Sequence, residues 1–349
     1  MRYYLPIEHN LHNVRPLTAS EIVKYSLAKN DEHVLTNVEV LHKSVRGNGI
    51  RVGIVDTGLG GHIDLESGRC KQLAGVGYTG VDRHGHGTHV AGVAAASGAG
   101  GKTLGCAPEC QIIMAKGLND DGWGDDSVIA DCIIALSSVY CDVISLSIGG
   151  DGRSERIAQA VKRAQDSGAI VVAASGNGGN NYPRDSYPGG LDGVITVGAC
   201  DNQGRMASFS QPSNSMDIVC PGVQYLSTYP GGRYARMSGT SMSTPHAAGA
   251  IACLVQLCVD QGIRRFSGDL YDVIIDAIRE TGEDASVPGY DNLTGIGIPN
   301  FSDAYNYIFE STMPPQPPPT DPKDPAEEIV IEIDRSKHKN IRNINIKFM

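Results

Sequence analysis

Residues 239–246 read Gly-Thr-Ser-Met-Ser-Thr-Pro-His and lead directly into an alanine-rich run. The stretch places Ser241 among small residues, just before the segment 247–252, whose small side chains suit a tightly packed interior helix. A serine hydroxyl attacks a carbonyl carbon effectively only when a neighbouring base takes its proton. Ser241 is therefore a candidate nucleophile that needs an imidazole from elsewhere in the chain.

Two upstream motifs supply an imidazole and a carboxylate. Residues 55–58 read Val-Asp-Thr-Gly, and residues 86–92 read His-Gly-Thr-His-Val-Ala-Gly. A histidine oriented by an aspartate is the base that activates a serine in acyl transfer. Taken singly, Ser241, His86 and Asp56 are more commonly a helix cap, a core histidine and a loop carboxylate. Their occurrence together within intact motifs favours the catalytic interpretation.

Short apolar runs alternate with segments of helical periodicity. Near-continuous apolar runs are typical of strands buried on both faces, as in parallel sheets. The segments 126–140 and 154–167 carry apolar residues at helical spacing. The alternation predicts an α/β domain with a mostly parallel, doubly wound sheet. The predicted strands are residues 50–55, 112–114, 143–148, 170–174, 194–197 and 218–220.

Polar motifs follow three of these runs. Asp56 directly follows the first, and residues 147–150 and 175–177 follow two others. In such sheets ligands bind beyond the carboxyl ends of the strands, so we expect these motifs to converge at one edge. We expect His86 and Ser241 to lie at helix N-termini.

The three motifs, in this order and with Gly176-Asn177 between the last two, resemble the subtilisin-like serine proteases from about Asn37 to about Tyr307. The resemblance implies a three-layer domain and a serine endopeptidase that forms an acyl-enzyme on Ser241. It also implies that the side chain of Asn177 and the backbone N–H of Ser241 form the oxyanion hole. Two alternatives stay open: a peptide ligase or macrocyclase, which tends to carry an inserted lid, and a non-catalytic peptide-binding scaffold, which tends to lose a catalytic residue.

The resemblance also implies how substrate binds. A peptide would add as a strand to exposed edges and place its side chains in pockets. The acidic stretch 119–126 and Asp185 suggest a preference for basic substrate residues, although a solvated charged loop is the commoner role of such a stretch. The expected substrate-binding residues are Gly122, Trp123, Gly124, Ser147, Ile148, Gly149, Ser175, Gly176 and Ser186.

The implied chemistry requires no cofactor. A zinc site at His84, His86 and His89 is not expected, because the glutamate of the His-Glu-x-x-His pattern is missing. Relatives often carry structural calcium, and Asp64 and Asp217 resemble its ligands. The loop 97–102 lacks the usual asparagines and contains a lysine, so we do not expect the tight calcium site.

Composition narrows the partners and the compartment. A formal net charge of -10 argues against nucleic acid, which requires clustered Lys and Arg. The first residues lack the apolar stretch of a secretory signal, and we expect neither membrane insertion nor secretion. The odd count of nine cysteines indicates buried free thiols in a reducing compartment. The prediction is a cytoplasmic protein close to the intracellular subtilisins.

Four regions are expected along the chain. Residues 1–33 form an N-terminal extension, 34–312 the peptidase domain, 313–327 a proline-rich linker and 328–349 a hairpin-like tail that could join copies into a homo-oligomer. The extension is too short for a folded pro-domain. We expect residues 4–7, with Pro6, to lie across the substrate cleft as an added strand, so the chain's own N-terminal segment is a candidate inhibitor.

Overall fold

The computed structural model describes residues 2–4, 15–22, 31–66, 68–181, 185–263, 265–266 and 268–312. The residues up to Thr312 form one compact unit. The predicted linker and hairpin-like tail lie outside the described residues.

Eleven strands lie in the described residues, and six of them overlap the predicted apolar runs. They are β1 (Arg2–Tyr4), β2 (Arg51–Asp56), β3 (Cys70–Gln72), β4 (Gln111–Lys116), β5 (Trp123–Asp125), β6 (Val143–Leu146), β7 (Ile170–Ala174), β8 (Val194–Cys200), β9 (Met216–Pro221), β10 (Tyr225–Tyr229) and β11 (Arg233–Met237).

The same residues contain nine α-helices. They are α1 (Ala19–Ile22), α2 (Asp31–Val34), α3 (Val38–Leu41), α4 (His86–Ala95), α5 (Asp126–Ser138), α6 (Glu155–Asp166), α7 (Thr240–Asp260), α8 (Gly268–Thr281) and α9 (Phe301–Thr312).

Seven of the strands form one parallel sheet in the order β3-β4-β2-β6-β7-β8-β9. All residues of β6, β7 and β8 are buried, which explains why these runs lack polar alternation. From β2 the chain passes to the edge strand β3, returns to β4 beside β2, and then runs outward from β6 to β9 on the other side of β2. The carboxyl ends of β2, β6 and β7 therefore lie next to one another, as expected.

Helices cover both faces of this sheet. α5 and α6 pack together over one face, within a cluster that includes Ile133, Ile144 and Val161. α4 and α7 cover the other face, and α8 and α9 pack outside α7. The predicted three-layer α/β architecture is confirmed. The short strand β3, the hairpin of β10 with β11, and the helices α8 and α9 were not predicted from the sequence.

Small side chains make α7 the central helix of the fold. It is 21 residues long, and 18 of them are buried. By length and hydropathy it is the one helix in the described residues that could span a membrane, but 89% of that stretch is buried inside the protein. All nine cysteines are free and buried, which fits their predicted role as small core residues.

Candidate active site

Asp56 and His86 meet where β2 ends and α4 begins. The His86 Nδ1 atom lies 2.8 Å from Asp56 Oδ1 and 2.9 Å from Oδ2, and both side chains are fully buried. Gly87 permits this approach, because a Cβ there would lie 2.4 Å from the Gly58 carbonyl oxygen and 3.1 Å from Asp56 Oδ1. The carboxylate fixes both the orientation and the tautomer of the imidazole.

Asp82, which the sequence analysis missed, organises the first turn of α4. Its carboxylate accepts hydrogen bonds from the backbone N–H groups of His84, Gly85 and Thr88, and from two side-chain hydroxyls, those of Thr57 and Thr88. A buried anion at a helix N-terminus satisfies unpaired N–H groups and the helix dipole. An aspartate four residues before His86, within a turn-rich segment, is the sequence signal that could have identified it.

Ser241 is the second residue of α7 and is fully buried. Its Oγ donates to the Ser147 carbonyl oxygen at 3.4 Å, and the Ser147 hydroxyl donates to the Ser241 carbonyl oxygen at 2.9 Å. This reciprocal pair joins the start of α7 to the chain that leaves β6. Both predicted helix N-terminal positions, those of His86 and Ser241, are confirmed.

Asn177 follows β7 and is held by the residue that precedes Ser241. Its Oδ1 accepts hydrogen bonds from the Thr240 backbone N–H and hydroxyl, each at 2.9 Å. An amide side chain has its donors and its acceptor on opposite sides of one carbon. Engaging Oδ1 with Thr240 therefore directs Nδ2 away from that helix terminus.

β1 lies between two of the edges that the sequence analysis assigned to substrate. It pairs antiparallel with β5, in the register Arg2 with Asp125, Tyr3 with Gly124 and Tyr4 with Trp123. On its other side the Tyr4 N–H donates to the Gly149 carbonyl at 3.0 Å, and the Gly149 N–H donates to the Tyr4 carbonyl at 2.9 Å. The segment expected to cross the cleft was residues 4–7; the described strand is residues 2–4.

The other expected pocket residues surround the same edge. Ile148 is buried in the cluster under α5 and α6, and Ser175 is buried at the end of β7. Gly176 and Ser186 are neighbours, since a Cβ on Gly176 would lie 3.3 Å from the Ser186 Cβ. The Asp185 carboxylate accepts from the Ser213 hydroxyl at 2.7 Å and the Asn214 N–H at 2.9 Å.

The acidic stretch divides into carboxylates with structural partners and carboxylates that face solvent. Asp120 Oδ1 accepts from the buried Lys116 Nζ at 2.8 Å, and this hydrogen bond lowers the pKa of Asp120. Asp126 Oδ2 accepts from the Ser154 hydroxyl at 2.9 Å. Asp121 and Asp125 instead line a cavity of about 330 Å³ together with Arg2.

Lys116 is a second residue that sequence reasoning missed. It pairs in register with Asp56, is 2% exposed, and also donates to the Thr57 carbonyl. A lysine at the end of an apolar strand was the available signal. Its charge is buried beside the loop that follows Asp56.

The candidate calcium ligands are both engaged within the protein. Asp64 accepts from the Gly100 N–H at 2.7 Å and from the Tyr234 hydroxyl at 2.8 Å, one on each oxygen. Asp217 accepts from the Thr196 N–H at 2.8 Å, and burial raises its pKa to about 6. These hydrogen bonds account for the placement of both carboxylates, and their role as calcium ligands stays a prediction.

One buried group of side chains in the described residues has the composition of a metal site. The ligand atoms of His33, Cys106 and His246 lie within 4.8 Å of one another. Both His246 ring nitrogens already pair with hydroxyls, those of Thr36 at 2.7 Å and Tyr225 at 2.9 Å. Burial raises the pKa of the Cys106 thiol, which opposes the thiolate that a metal needs. We interpret the group as a hydrogen-bond network.

Comparison with known proteins agrees with this geometry. The sequence pattern of the subtilase family (Peptidase S8) matches residues 47–297. Subtilisin DY of Bacillus licheniformis is 40% identical over 221 residues, which cover 62% of this chain and 80% of that protein. The intracellular serine protease of Paenibacillus polymyxa is 36% identical over 257 residues, which cover 68% of this chain and 78% of that protein. Subtilisin BL of Lederbergia lenta is 42% identical over 216 residues, which cover 62% of this chain and 79% of that protein. The chain therefore belongs to the subtilase family and is a serine-type endopeptidase.

Proposed function

We propose that this endopeptidase works through an acyl-enzyme on Ser241, with His86 as the base, Asp56 as its orienting group and Asn177 in the oxyanion hole. The observation that carries the proposal is the buried hydrogen bond between His86 Nδ1 and Asp56, at the sheet edge where α7 begins. Because Nδ1 carries the proton that Asp56 accepts, Nε2 is the basic nitrogen of the ring.

The reaction follows from these roles. Ser241 Oγ attacks the carbonyl carbon of the peptide while His86 Nε2 takes its proton, and His86 then protonates the departing amine. The Asn177 Nδ2 and the Ser241 N–H donate to the oxygen that gains negative charge. Water repeats the attack on the acyl-enzyme and releases the second product. No step requires a cofactor.

We further propose that the chain is made as a latent precursor. β1 supports this, because its backbone pairs with both β5 and Gly149, the two edges to which a substrate strand would add. A segment that satisfies those hydrogen bonds excludes a substrate from them. Cleavage after the strand would release the cleft.

We assign the enzyme to the cytoplasm. The name of the Paenibacillus relative and the nine buried free thiols of this chain support that assignment. A latent form suits a protease that is made among its potential substrates. The role of the C-terminal tail in oligomerisation stays a prediction.

The decisive experiment uses casein hydrolysis by three purified proteins. Ser241→Ala should retain the circular dichroism spectrum of the wild type and lose activity by a factor on the order of 10⁶, the loss known for the same substitution in subtilisin. Ser44→Ala, at an exposed serine on a turn, is the matched control and should be as active as the wild type. Undiminished turnover by Ser241→Ala would overturn the mechanism.

Latency has its own measurement. If the proposal holds, the full chain should hydrolyse casein only after a lag, and a variant lacking residues 1–14 should show no lag. Equal progress curves for the two folded proteins would contradict the inhibitory role.

Mass spectrometry in the presence of an added peptide amine separates hydrolysis from ligation, because a ligase would accumulate joined peptides instead of free carboxyl products.

A further inference from the structure

The turn that carries Asn177 is held by a second segment of the chain, residues 209–211. This segment lies in the connection between β8 and β9, and Gln211 is only 5% exposed. The Gln211 backbone N–H donates to the Gly176 carbonyl at 3.0 Å, and the Gln211 side-chain Oε1 accepts from the Gly178 N–H at 3.2 Å. One buried residue therefore hydrogen-bonds to the backbone on both sides of the candidate oxyanion asparagine.

The segment that contains Gln211 is itself anchored to the central sheet. The Ala207 N–H donates to the Ala199 carbonyl at 2.9 Å, and the Ala199 N–H donates to the Ser210 hydroxyl oxygen at 2.9 Å. Ala199 belongs to β8, a strand whose residues are all buried. The position of Gln211 is therefore set through β8, by contacts other than those between the start of α7 and the side chain of Asn177.

The turn needs this support because its own sequence leaves the backbone free. Residues 176–179 read Gly-Asn-Gly-Gly, and glycine has the widest choice of backbone conformations. Gly176 has φ near +108°, and a Cβ there would lie 2.5 Å from the Gln211 Oε1 atom. The Phe209 carbonyl adds a third hydrogen bond, from the Gly179 N–H at 2.9 Å. The direction of the asparagine side chain thus depends on contacts from residues 209–211.

Asn177 therefore has two supports that differ in what they hold. Thr240 engages its side-chain Oδ1, whereas Gln211 fixes the backbone from which the side chain extends. A hydrogen-bond donor stabilises developing charge best when it is already in place before the reaction. A displacement of about 1 Å at a reacting centre can cost on the order of 10²-fold in rate. A residue that holds the backbone of this turn can consequently influence the reaction through Asn177.

We propose that Gln211 is a positioning residue of the oxyanion hole. Its backbone N–H and its Oε1 hold the turn so that the Asn177 Nδ2 is directed at the oxygen that gains negative charge. The inference rests on the role proposed above for Asn177. The charge on that oxygen is largest in the transition state, so Gln211 contributes to kcat and little to KM.

The first test removes the acceptor and keeps the length of the side chain, because the thioether of methionine is only a weak acceptor. We expect Gln211→Met to lower kcat on the order of tenfold and to leave KM within about twofold, in hydrolysis of a peptide p-nitroanilide by the full-length protein. Gln211→Leu, which also lacks the acceptor, serves if circular dichroism shows that Gln211→Met does not fold. Gln203→Met, at an exposed glutamine of the same connection, is the matched control and should behave as the wild type. A rise in KM with unchanged kcat would overturn the proposal.

The second test asks whether Gln211 acts through Asn177. In an Asn177→Ala background the donor is absent, so adding Gln211→Met should lower kcat by less than about twofold further. The same tenfold loss in both backgrounds would overturn the proposal. If Asn177→Ala lowers kcat by about 10²–10³ and Gln211→Met has no effect, this inference alone is wrong. If Asn177→Ala leaves kcat unchanged, the proposed oxyanion hole is wrong and the inference falls with it.

A peptide aldehyde tests the same geometry without turnover. Ser241 Oγ adds to the aldehyde carbon while its proton passes to His86, and the carbonyl oxygen becomes the oxyanion of the adduct. Because this adduct resembles the transition state, we expect its inhibition constant to rise in Gln211→Met by about the factor by which kcat/KM falls. An unchanged inhibition constant together with a lower kcat would contradict the assignment of Gln211 to the oxyanion hole.

Discussion

Asn177 depends on Thr240 for its direction. Both hydrogen bonds to its Oδ1 come from the residue immediately before Ser241, so the amide and the nucleophile are positioned by the same helix terminus. A donor held in place before the reaction stabilises developing charge without reorganising. The side chain is 4% exposed, and its surroundings exclude most competing water.

At this scale we expect Asn177→Asp to lower kcat by about 10²–10³, with little change in KM. This magnitude was measured for the corresponding kind of donor in subtilisin itself, a relative of this chain. The substitution keeps an acceptor oxygen for Thr240 but replaces the donor with an oxygen. Steady-state kinetics on a peptide substrate measure the effect, with Asn48→Asp in an exposed turn as control. A rise in KM alone would assign Asn177 to substrate binding instead.

Among the secondary-structure elements, β5 and the loop before it show why a charge cluster cannot be interpreted from its sequence alone. Asp120 pairs with Lys116 and Asp126 with Ser154, so these two carboxylates support the structure. Asp121 and Asp125 line the cavity beside Arg2, which pairs with Asp125 as the first residue of β1. We therefore expect Asp121 and Asp125 to be the carboxylates that favour a basic substrate residue, at the substrate position that Arg2 occupies in β1.

We expect the double variant Asp121→Asn, Asp125→Asn to lower kcat/KM roughly two- to fivefold for peptides with Arg at the position that pairs with Asp125, as Arg2 does in β1. The effect is small because exposed charge pairs contribute little. Peptides with Ala at the same position should be unaffected, and added salt should reduce the difference. Asp131→Asn, an exposed charge on α5, is the control. Equal losses for Arg and Ala peptides would assign both aspartates to solubility.

In the molecule as a whole, buried neutral histidines make the stability of the fold depend on pH. His89 is fully buried in α4, and its Nε2 lies 3.1 Å from the Tyr225 carbonyl and 3.2 Å from the Ala235 carbonyl. Burial and the neighbouring His86 lower its pKa to about 3. A folded-state pKa below the ordinary value of about 6.5 means that the unfolded chain binds the proton first.

The stability that His89 contributes is therefore present above about pH 6.5 and is lost as the pH falls toward 3. Each such histidine adds up to about 1.4 kcal/mol per pH unit to the slope of the free energy of unfolding. Urea denaturation of Ser241→Ala protein between pH 7 and 4 measures that slope without self-digestion. We expect His89→Gln in the same background to flatten it. Identical slopes would show that His89 does not titrate on unfolding.

The α/β architecture and the candidate site residues could be predicted from local sequence patterns. Apolar runs such as residues 143–146 and 170–174 predict buried strands, because hydrophobic periodicity is a local property that can be recognised without knowing which strands become neighbours. The motifs around Asp56, His86 and Ser241 follow strand ends or begin helices, so sheet topology alone brings them to one edge.

The support of the site and the placement of β1 beside it depend on contacts between distant parts of the chain. The contacts of Tyr3 with Gly152 and Ser154, and of Lys116 with Thr57, join residues 59 to 151 positions apart. Asp82 contacts Thr57 across 25 positions. Such pairings depend on how separate elements pack. Their energies arise from burial, which cannot be predicted from a local sequence pattern. The contacts of a tyrosine near the N-terminus therefore cannot be predicted from the sequence, because they form only when the fold brings β1 beside the cleft.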